Sequence, residues 1–373
     1  MLCCGGDTVI LPKATEMKLD CSDGIQLAAQ SWKVSTTSSE IMTEGVKPEE
    51  LRVLCLHGWM DNANSFHILA PALIEYLDAN MAATTEQQVE SKKAACFRSV
   101  HVVCLDLPGH GLSSHRSQDA PPMIRAEYLF YVAEALRQLQ WVDKPKRGNN
   151  RQPNDNKQKF VIVGHSMGSG IALLYAAAFP EQVRQLVFLD ALAPLVGRSD
   201  TSTAQNLRQY VQTRQLDGQM LADPANRFYY PSKEAATKAR INSAKSFPGN
   251  QYISQMAAEQ LVERGVVEDE PINSNNGALK RRFRFRHDPR LAWKSLLNLT
   301  QDQLDELYRE VQCPTCILLG QDGWPFEEAQ KQRVQQVLQP TVFKTMPGSH
   351  SLHADPDVAE AVVQEIVEFL LQQ

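Results

Sequence analysis

No apolar run in these 373 residues reaches the roughly 18 needed to cross a bilayer as a helix, which excludes stable membrane insertion by that route. The first residues, Met1-Leu2-Cys3-Cys4-Gly5-Gly6-Asp7, lack the basic start and apolar core of a secretory signal, so a soluble intracellular protein is expected. Charge of one sign is also lacking. With 38 Lys plus Arg against 43 Asp plus Glu, the formal charge of −5 gives no reason to expect nucleic acid as a partner, and a small neutral substrate suits the chain as well as any. Cysteine is sparse at 8, and in such a compartment the thiols stay reduced; Cys55 and Cys104 fall in apolar strand-like runs, where a thiol packs as a small hydrophobe. Cys313-Pro314-Thr315-Cys316 has the spacing of a redox pair or half a zinc site. No second pair stands at a suitable distance and the segment runs straight into Ile317-Leu318-Leu319, so neither a metal nor a cofactor is expected. Cys3-Cys4 fits palmitoylation by residue type alone, and Leu2 stands where myristoylation needs glycine.

What is present is an alternation of strand and helix patterns. Strands are expected at 17–21, 26–32, 51–56, 100–105, 159–163, 185–189, 315–319 and 342–346, with helical patterns between most of the later ones. That rhythm indicates an α/β fold, a mostly parallel sheet with helices on both faces. The first two strands, joined by Ser22-Asp23-Gly24, read as a hairpin that makes the sheet mixed at one edge. Polar stretches at 78–95 and 144–158 read as surface loops, the second disordered. Residues 195–310 are rich in helical pattern and poor in strand signals, so the chain divides into a core at 1–194 and 311–373 with a helical cap inserted at 195–310. Within that insert, Arg281-Arg282-Phe283-Arg284-Phe285-Arg286-His287-Asp288 alternates with period two, an extended segment with both phenylalanines inward and the arginines solvated.

Gly164-His165-Ser166-Met167-Gly168 is the pattern that carries chemistry. By composition alone Gly-x-Ser-x-Gly arises in roughly one chain of this length in ten, so its setting must decide. Here a short apolar run, Lys159-Phe160-Val161-Ile162-Val163, precedes it, and Ile171, Leu174, Tyr175 and Ala178 recur at helical spacing until Pro180. A serine on a sharp strand-to-helix turn exposes its hydroxyl at the top of a sheet, and small residues on either side let neighbouring backbones pass the strained apex. Ser166 is therefore the candidate nucleophile.

A serine hydroxyl needs a base, most often a histidine oriented by a carboxylate. His350, in Gly348-Ser349-His350 ahead of Asp355-Pro356, follows the last strand on a short loop and is the candidate; His353 competes as a group lining the site or capping structure. The oxyanion of acyl transfer needs preorganised N–H donors, for which the amides of Met167 and Trp59 stand in suitable places, one after the nucleophile and one in His57-Gly58-Trp59-Met60-Asp61-Asn62. Two carboxylates keep the order serine, acid, histidine: Asp190, which ends Val187-Phe188-Leu189, and Asp322, in Gly320-Gln321-Asp322-Gly323-Trp324-Pro325.

With Leu105-Asp106-Leu107-Pro108-Gly109-His110-Gly111-Leu112-Ser113-Ser114, these ordered motifs resemble the α/β-hydrolase superfamily, and within it the serine hydrolase-like, Kraken-type branch. The resemblance covers residue 17 to the end and implies a mixed eight-stranded sheet, a cap after the sixth strand, and cytosol or peroxisome as location. It also departs from the family's Gly-x-x-Asp after the seventh strand, because Asp322 falls one residue early. Two functions stay open: a serine hydrolase acting on a carboxylic ester or related small acyl substrate through an acyl-serine intermediate, and a weakly active or inactive ligand-binding protein on the same scaffold. Tyr210, Phe228, Tyr229, Tyr230 and Tyr252 are candidates to line the cap side of the pocket.

Overall fold

The computed structural model describes residues 13–35, 49–83, 97–117, 126–144, 158–192, 203–222, 228–273, 279–293 and 299–372. Cys3-Cys4, most of the stretches 78–95 and 144–158, and the first part of the insert at 195–310 lie outside them. Residues 78–83 are not loop: they complete helix α1 (Leu69–Ala83).

Eight strands form one sheet: β1 (Thr15–Asp20), β2 (Gln26–Ser35), β3 (Glu49–Leu56), β4 (Phe97–Leu105), β5 (Phe160–His165), β6 (Val183–Leu189), β9 (Thr315–Asp322) and β10 (Val342–Ser349). Their order is β1-β2-β4-β3-β5-β6-β9-β10; β2 is antiparallel to β1 and β4, and the rest are parallel. Period-two alternation explains why the inner strands are apolar throughout. Leu54, Leu56, Ile162, Leu186 and Phe188 face a core shared with α2 (Glu127–Gln138) and α3 (Met167–Ala178). Their neighbours Val53, Cys55, Val161, Val163, Val187 and Leu189 face the opposite core, closed by α1 and α9 (Ala359–Leu371).

Between β6 and β9 lie α4 (Thr203–Ala222), α5 (Lys233–Ala244), α6 (Gln255–Gly265), an antiparallel hairpin of β7 (Val266–Asn273) and β8 (Leu279–Phe285), and α7 (Gln301–Glu310). After β9 comes α8 (Glu328–Val337). The hairpin departs from a purely helical reading of the insert. β7 carries Glu268, Asp269 and Glu270 and shows no apolar alternation, because its ladder is completed by charge: Arg281 pairs with Glu268 and Arg284 with Asp269. Phe283 is buried beside Ala236, Val262 and Val266, and Phe285 packs at that cluster's edge, so the period-two segment turns its rings inward. α7 packs Leu304 and Tyr308 into the sheet's core rather than among the other insert elements.

The apolar clusters joining insert and core are small, and directional bonds do much of the docking. Arg264 of α6 reaches both Asp106, at the end of β4, and Glu16 of β1, with contacts of 2.8 and 2.7 Å. Asn62 and Asn64 donate to the carbonyls of Leu261 and Gln260, and the Asp288 amide donates to the Gly109 carbonyl. Asp106, fully buried, also accepts from the amides of Ala63 and Leu112, so the whole Asp106–Ser113 turn is organised around its carboxylate. Replacing Arg264 by Ala leaves that buried charge without its cation and is expected to cost about 3 kcal/mol in urea unfolding. The exposed pair offers the control: Arg281→Ala should leave the unfolding midpoint nearly unchanged.

Candidate active site

β5 delivers the chain into a strained turn. Ser166 sits at φ 50° and ψ −113°, a region L-residues rarely adopt, and its amide is clamped to the Leu189 carbonyl at 3.0 Å. Glycine is needed on both sides: a Cβ on Gly164 would stand 2.4 Å from the Ser169 nitrogen, and one on Gly168 would stand 2.0 Å from the Leu56 carbonyl oxygen. α3 therefore starts hard against the end of β3. Ser166 is the N-cap of that helix but makes no capping bond with its side chain, and the Met167 amide opens the helix, where N–H groups have no partner within the helix.

Of the two candidate acids, the structure brings Asp190 to His350. His350 Nδ1 donates to Asp190 Oδ2 at 2.5 Å; the carboxylate is fully buried and the imidazole partly exposed. Asp190 also accepts from the Gly320 amide at 2.9 Å on Oδ1 and the Trp324 amide at 2.8 Å on Oδ2, so three donors fix its plane. Its own φ is 46°, and its amide is held by the Leu318 carbonyl. Asp322 is elsewhere. It is the last residue of β9, paired in register with Ser349, and it lines a cavity of about 250 Å³ with Asn250, Trp324 and Lys331. A strand residue points where the pleat sends it, and this one makes no bond to His350 among the described residues.

With Nδ1 donating to Asp190, His350 Nε2 is left as the acceptor of its neutral imidazole. Among the described residues neither Nε2 nor the Ser166 hydroxyl makes a hydrogen bond. His353, the competing histidine, is fully buried; it shares a 2.7 Å bond with the Ser65 hydroxyl and packs on His165, with ring centroids 4.3 Å apart. Gly58 brings the loop after β3 against the same residue, since a Cβ there would meet His165 Nδ1 at 2.8 Å. Trp59 is 41% exposed, and its indole donates to the Leu291 carbonyl, walling the space between core and insert. His57 is a pin and not a reactive group: its Nδ1 donates to the Gly58 carbonyl and its Nε2 accepts from the Leu107 amide.

Several residues around the site carry no signal in a sequence. Trp324 supplies an amide to Asp190 and sets its ring 5.9 Å from that of His350. Gly323 is obligatory, because a Cβ there would lie 2.3 Å from Asp190 Oδ1. Of the five aromatic candidates, Tyr252 contacts the residue before His350, its carbonyl accepting from the Ser349 hydroxyl. Tyr229 and Tyr230 pack against the β7–β8 hairpin, Phe228 is 74% exposed, and Tyr210 is buried on α4. No group of three His, Cys, Asp or Glu side chains stands ready to hold a metal among the described residues.

A mixed parallel sheet with a serine at a strained strand-to-helix turn, and a histidine and buried aspartate at the ends of later strands, defines the α/β-hydrolase class. The chain belongs to the alpha/beta hydrolase fold family, whose model matches residues 52–357, and to its serine hydrolase-like branch. It is 26% identical over 369 residues to a serine hydrolase-like protein of Dictyostelium discoideum, covering 96% of this chain and 82% of that protein. A serine hydrolase-like protein of Danio rerio is 27% identical over 374 residues, covering 98% and 95% of the two chains. Among solved structures, a hypothetical protein of Pseudomonas aeruginosa superposes with a TM-score of 0.67 at 27% identity, covering 97% of this chain and 100% of that one. Among the described residues no helix is long and apolar enough to cross a membrane.

Burial sets the charge state of several histidines, some of them around this centre. His67, His101, His165 and His287 are all lowered from 6.5 to about 4, in each case chiefly by desolvation; for His165 the nearby His350 adds to it. His353 is pushed well below the usual range by burial and then by His165 and His350. Between pH 6.5 and 4 the unfolded chain therefore binds protons that the folded one refuses, so stability falls as pH falls through that window. Urea unfolding at pH 8, 6 and 5 should show a high plateau at pH 8 and progressively lower midpoints below 6.5. Equal midpoints at pH 8 and 5 would contradict neutral buried histidines.

Proposed function

We propose that this protein is a serine hydrolase that cleaves a carboxylic ester or related acyl bond of a small molecule through an acyl-serine intermediate. The observation that carries the reading is the Asp190–His350 bond, 2.5 Å long, at the carboxyl ends of β6 and β10, on the edge of the sheet where β5 ends in the strained Ser166 turn. Ser166 Oγ attacks the acyl carbon while His350 Nε2 takes its proton; Asp190 holds the imidazole in the tautomer that leaves Nε2 free and offsets the charge it acquires. The oxyanion forms toward the amides of Met167 and Trp59. His350 then gives its proton to the leaving alkoxide, and water, activated by the same imidazole, releases the acid and restores Ser166. Residues 195–310 are taken as the cap that selects the substrate over this centre.

One observation favours the rival, a ligand-binding protein with a silent triad: the Ser166 hydroxyl makes no hydrogen bond among the described residues. A fluorophosphonate probe separates the two. Wild-type protein should be labelled at Ser166, and Ser166→Ala and His350→Ala should not. A wild-type protein that stays unlabelled removes the hydrolase reading.

The acid is tested with p-nitrophenyl acyl esters of graded chain length. Asp190→Asn is expected to lower kcat by about 10³–10⁴, since it stabilises the wrong imidazole tautomer, whereas Asp322→Asn should stay within about threefold of wild type. The reverse order would move the role to Asp322.

A further inference from the structure

His165, the residue before Ser166, is buried to 1% exposure and packs against groups of the loops after β3 and β10. Its Nε2 lies 2.8 Å from the main-chain carbonyl of His350, and because a carbonyl only accepts, Nε2 carries the proton. Its ring packs between those of His350 and His353, at centroid distances of 4.8 and 4.3 Å. On the far side, Nδ1 makes no hydrogen bond and faces Asp61 Oδ2 at 3.7 Å. Asp61, itself buried, spends its other oxygen on Arg240 of α5 at 2.8 Å. A continuous line of contacts thus runs from the insert to the backbone of the proposed base: Arg240, Asp61, His165, His350.

We propose that His165 is a positioning residue: it transmits the docking of α5, through Arg240 and Asp61, to the main chain that carries His350. This rests on the reading of His350 as the base. The charged and titratable groups facing His165 are Asp61 from the loop after β3, Asp190 from the loop after β6, and His350 and His353 from the loop after β10. In this set the bare Nδ1 lone pair opposite a carboxylate is tolerated because Arg240 neutralises Asp61. Withdraw Arg240 and Asp61 is left as a lone buried anion 3.7 Å from an imidazole. The stable outcome is then a proton on Nδ1, which places a cation against the His350 ring and opposes the positive charge that ring must take as a base, while the bond from Nε2 to the His350 carbonyl tightens. Docking of the insert and readiness of the base are coupled by that single proton.

The test reads the His350 Nδ1 proton, which a bond of 2.5 Å to Asp190 should shift far downfield in the proton NMR spectrum, alongside the rate of fluorophosphonate labelling. His165→Leu keeps the bulk and removes the donor; it should broaden or displace the downfield signal and slow labelling about tenfold, while His165→Gln, whose amide can reach the same carbonyl, should restore both. In Arg240→Gln the imidazole of His165, followed by its ¹⁵N shifts, should titrate above its value of about 4, and the His350 signal should move with it. Wild-type signal and labelling rate in His165→Leu, or failure of Gln to restore what Leu loses, would overturn the proposal. Should the Leu variant not fold, Arg240→Gln decides: an unmoved His165 titration and an unmoved His350 signal refute the coupling. If wild type itself is not labelled yet the NMR signals follow the expected pattern, the hydrolase reading fails and the positioning role stands.

Discussion

The carboxylate of Asp190 is where the separate parts of this molecule meet. β6 ends at it, β9 sends the Gly320 amide to one oxygen and the following turn sends the Trp324 amide to the other, and the loop after β10 sends the imidazole of His350. Each of those segments is irregular at the contact: Asp190 has a positive φ, Gly323 has no room for a Cβ, and Gly348 turns at φ 109°. A buried anion with fewer donors would be expensive, so the three strand ends are locked in mutual register by the demand that it be satisfied. The strain at Ser166 belongs to the same arrangement, since its amide is held by the carbonyl of Leu189, the residue before Asp190.

The insert is attached by a different physical principle. Its own apolar clusters are small, and one of them reaches the loop after β10 through Ala354, next to His353. The remaining ties are polar and buried: Arg264 to Asp106 and Glu16, Arg240 to Asp61, two asparagine amides to carbonyls of α6. Desolvation cancels much of the Coulombic gain in such pairs, so they contribute less to net stability than to direction. Apolar packing tolerates small slides of one element over another, whereas an arginine on a buried carboxylate fixes position and angle together. The proposed link from Arg240 to His350 draws on that property: a change in the insert's pose would be felt as a change in charge balance beside His350.

The sheet was legible because its inner strands are buried on both faces, which writes them as short apolar runs between turn residues. The serine turn was legible because close backbone approach demands glycine at 164 and 168, and that demand is local. What stayed hidden depends on distance along the chain. Asp190 and His350 lie 160 positions apart and Asp61 and Arg240 lie 179 apart, so no window of sequence displays either pair. β7 was hidden for another reason: its residues Val266-Val267-Glu268-Asp269-Glu270 are paired by charge with the arginines of β8, and hydrophobic periodicity registers no such pairing. β9 and β10 run on past their apolar stretches to Asp322 and Ser349, because ladder bonds continue where side-chain burial has ended.

The two carboxylates that the sequence left level are unequal once burial is considered. Asp322 is half-exposed at a strand end and can keep its charge in water whether or not it has a partner. Asp190 has no such option: its side chain is fully buried, and without His350 it would retain only two amide donors for a full negative charge. A position with positive φ, where aspartate is among the few side chains tolerated, adds to the cost of keeping it there for packing alone. The one-residue advance of Asp322 has a further effect. It leaves Gly323 and Trp324 to form the turn that closes over Asp190, so the same five residues, 320–324, that depart from the family's Gly-x-x-Asp spacing become the amide cradle of Asp190 at the end of the neighbouring strand.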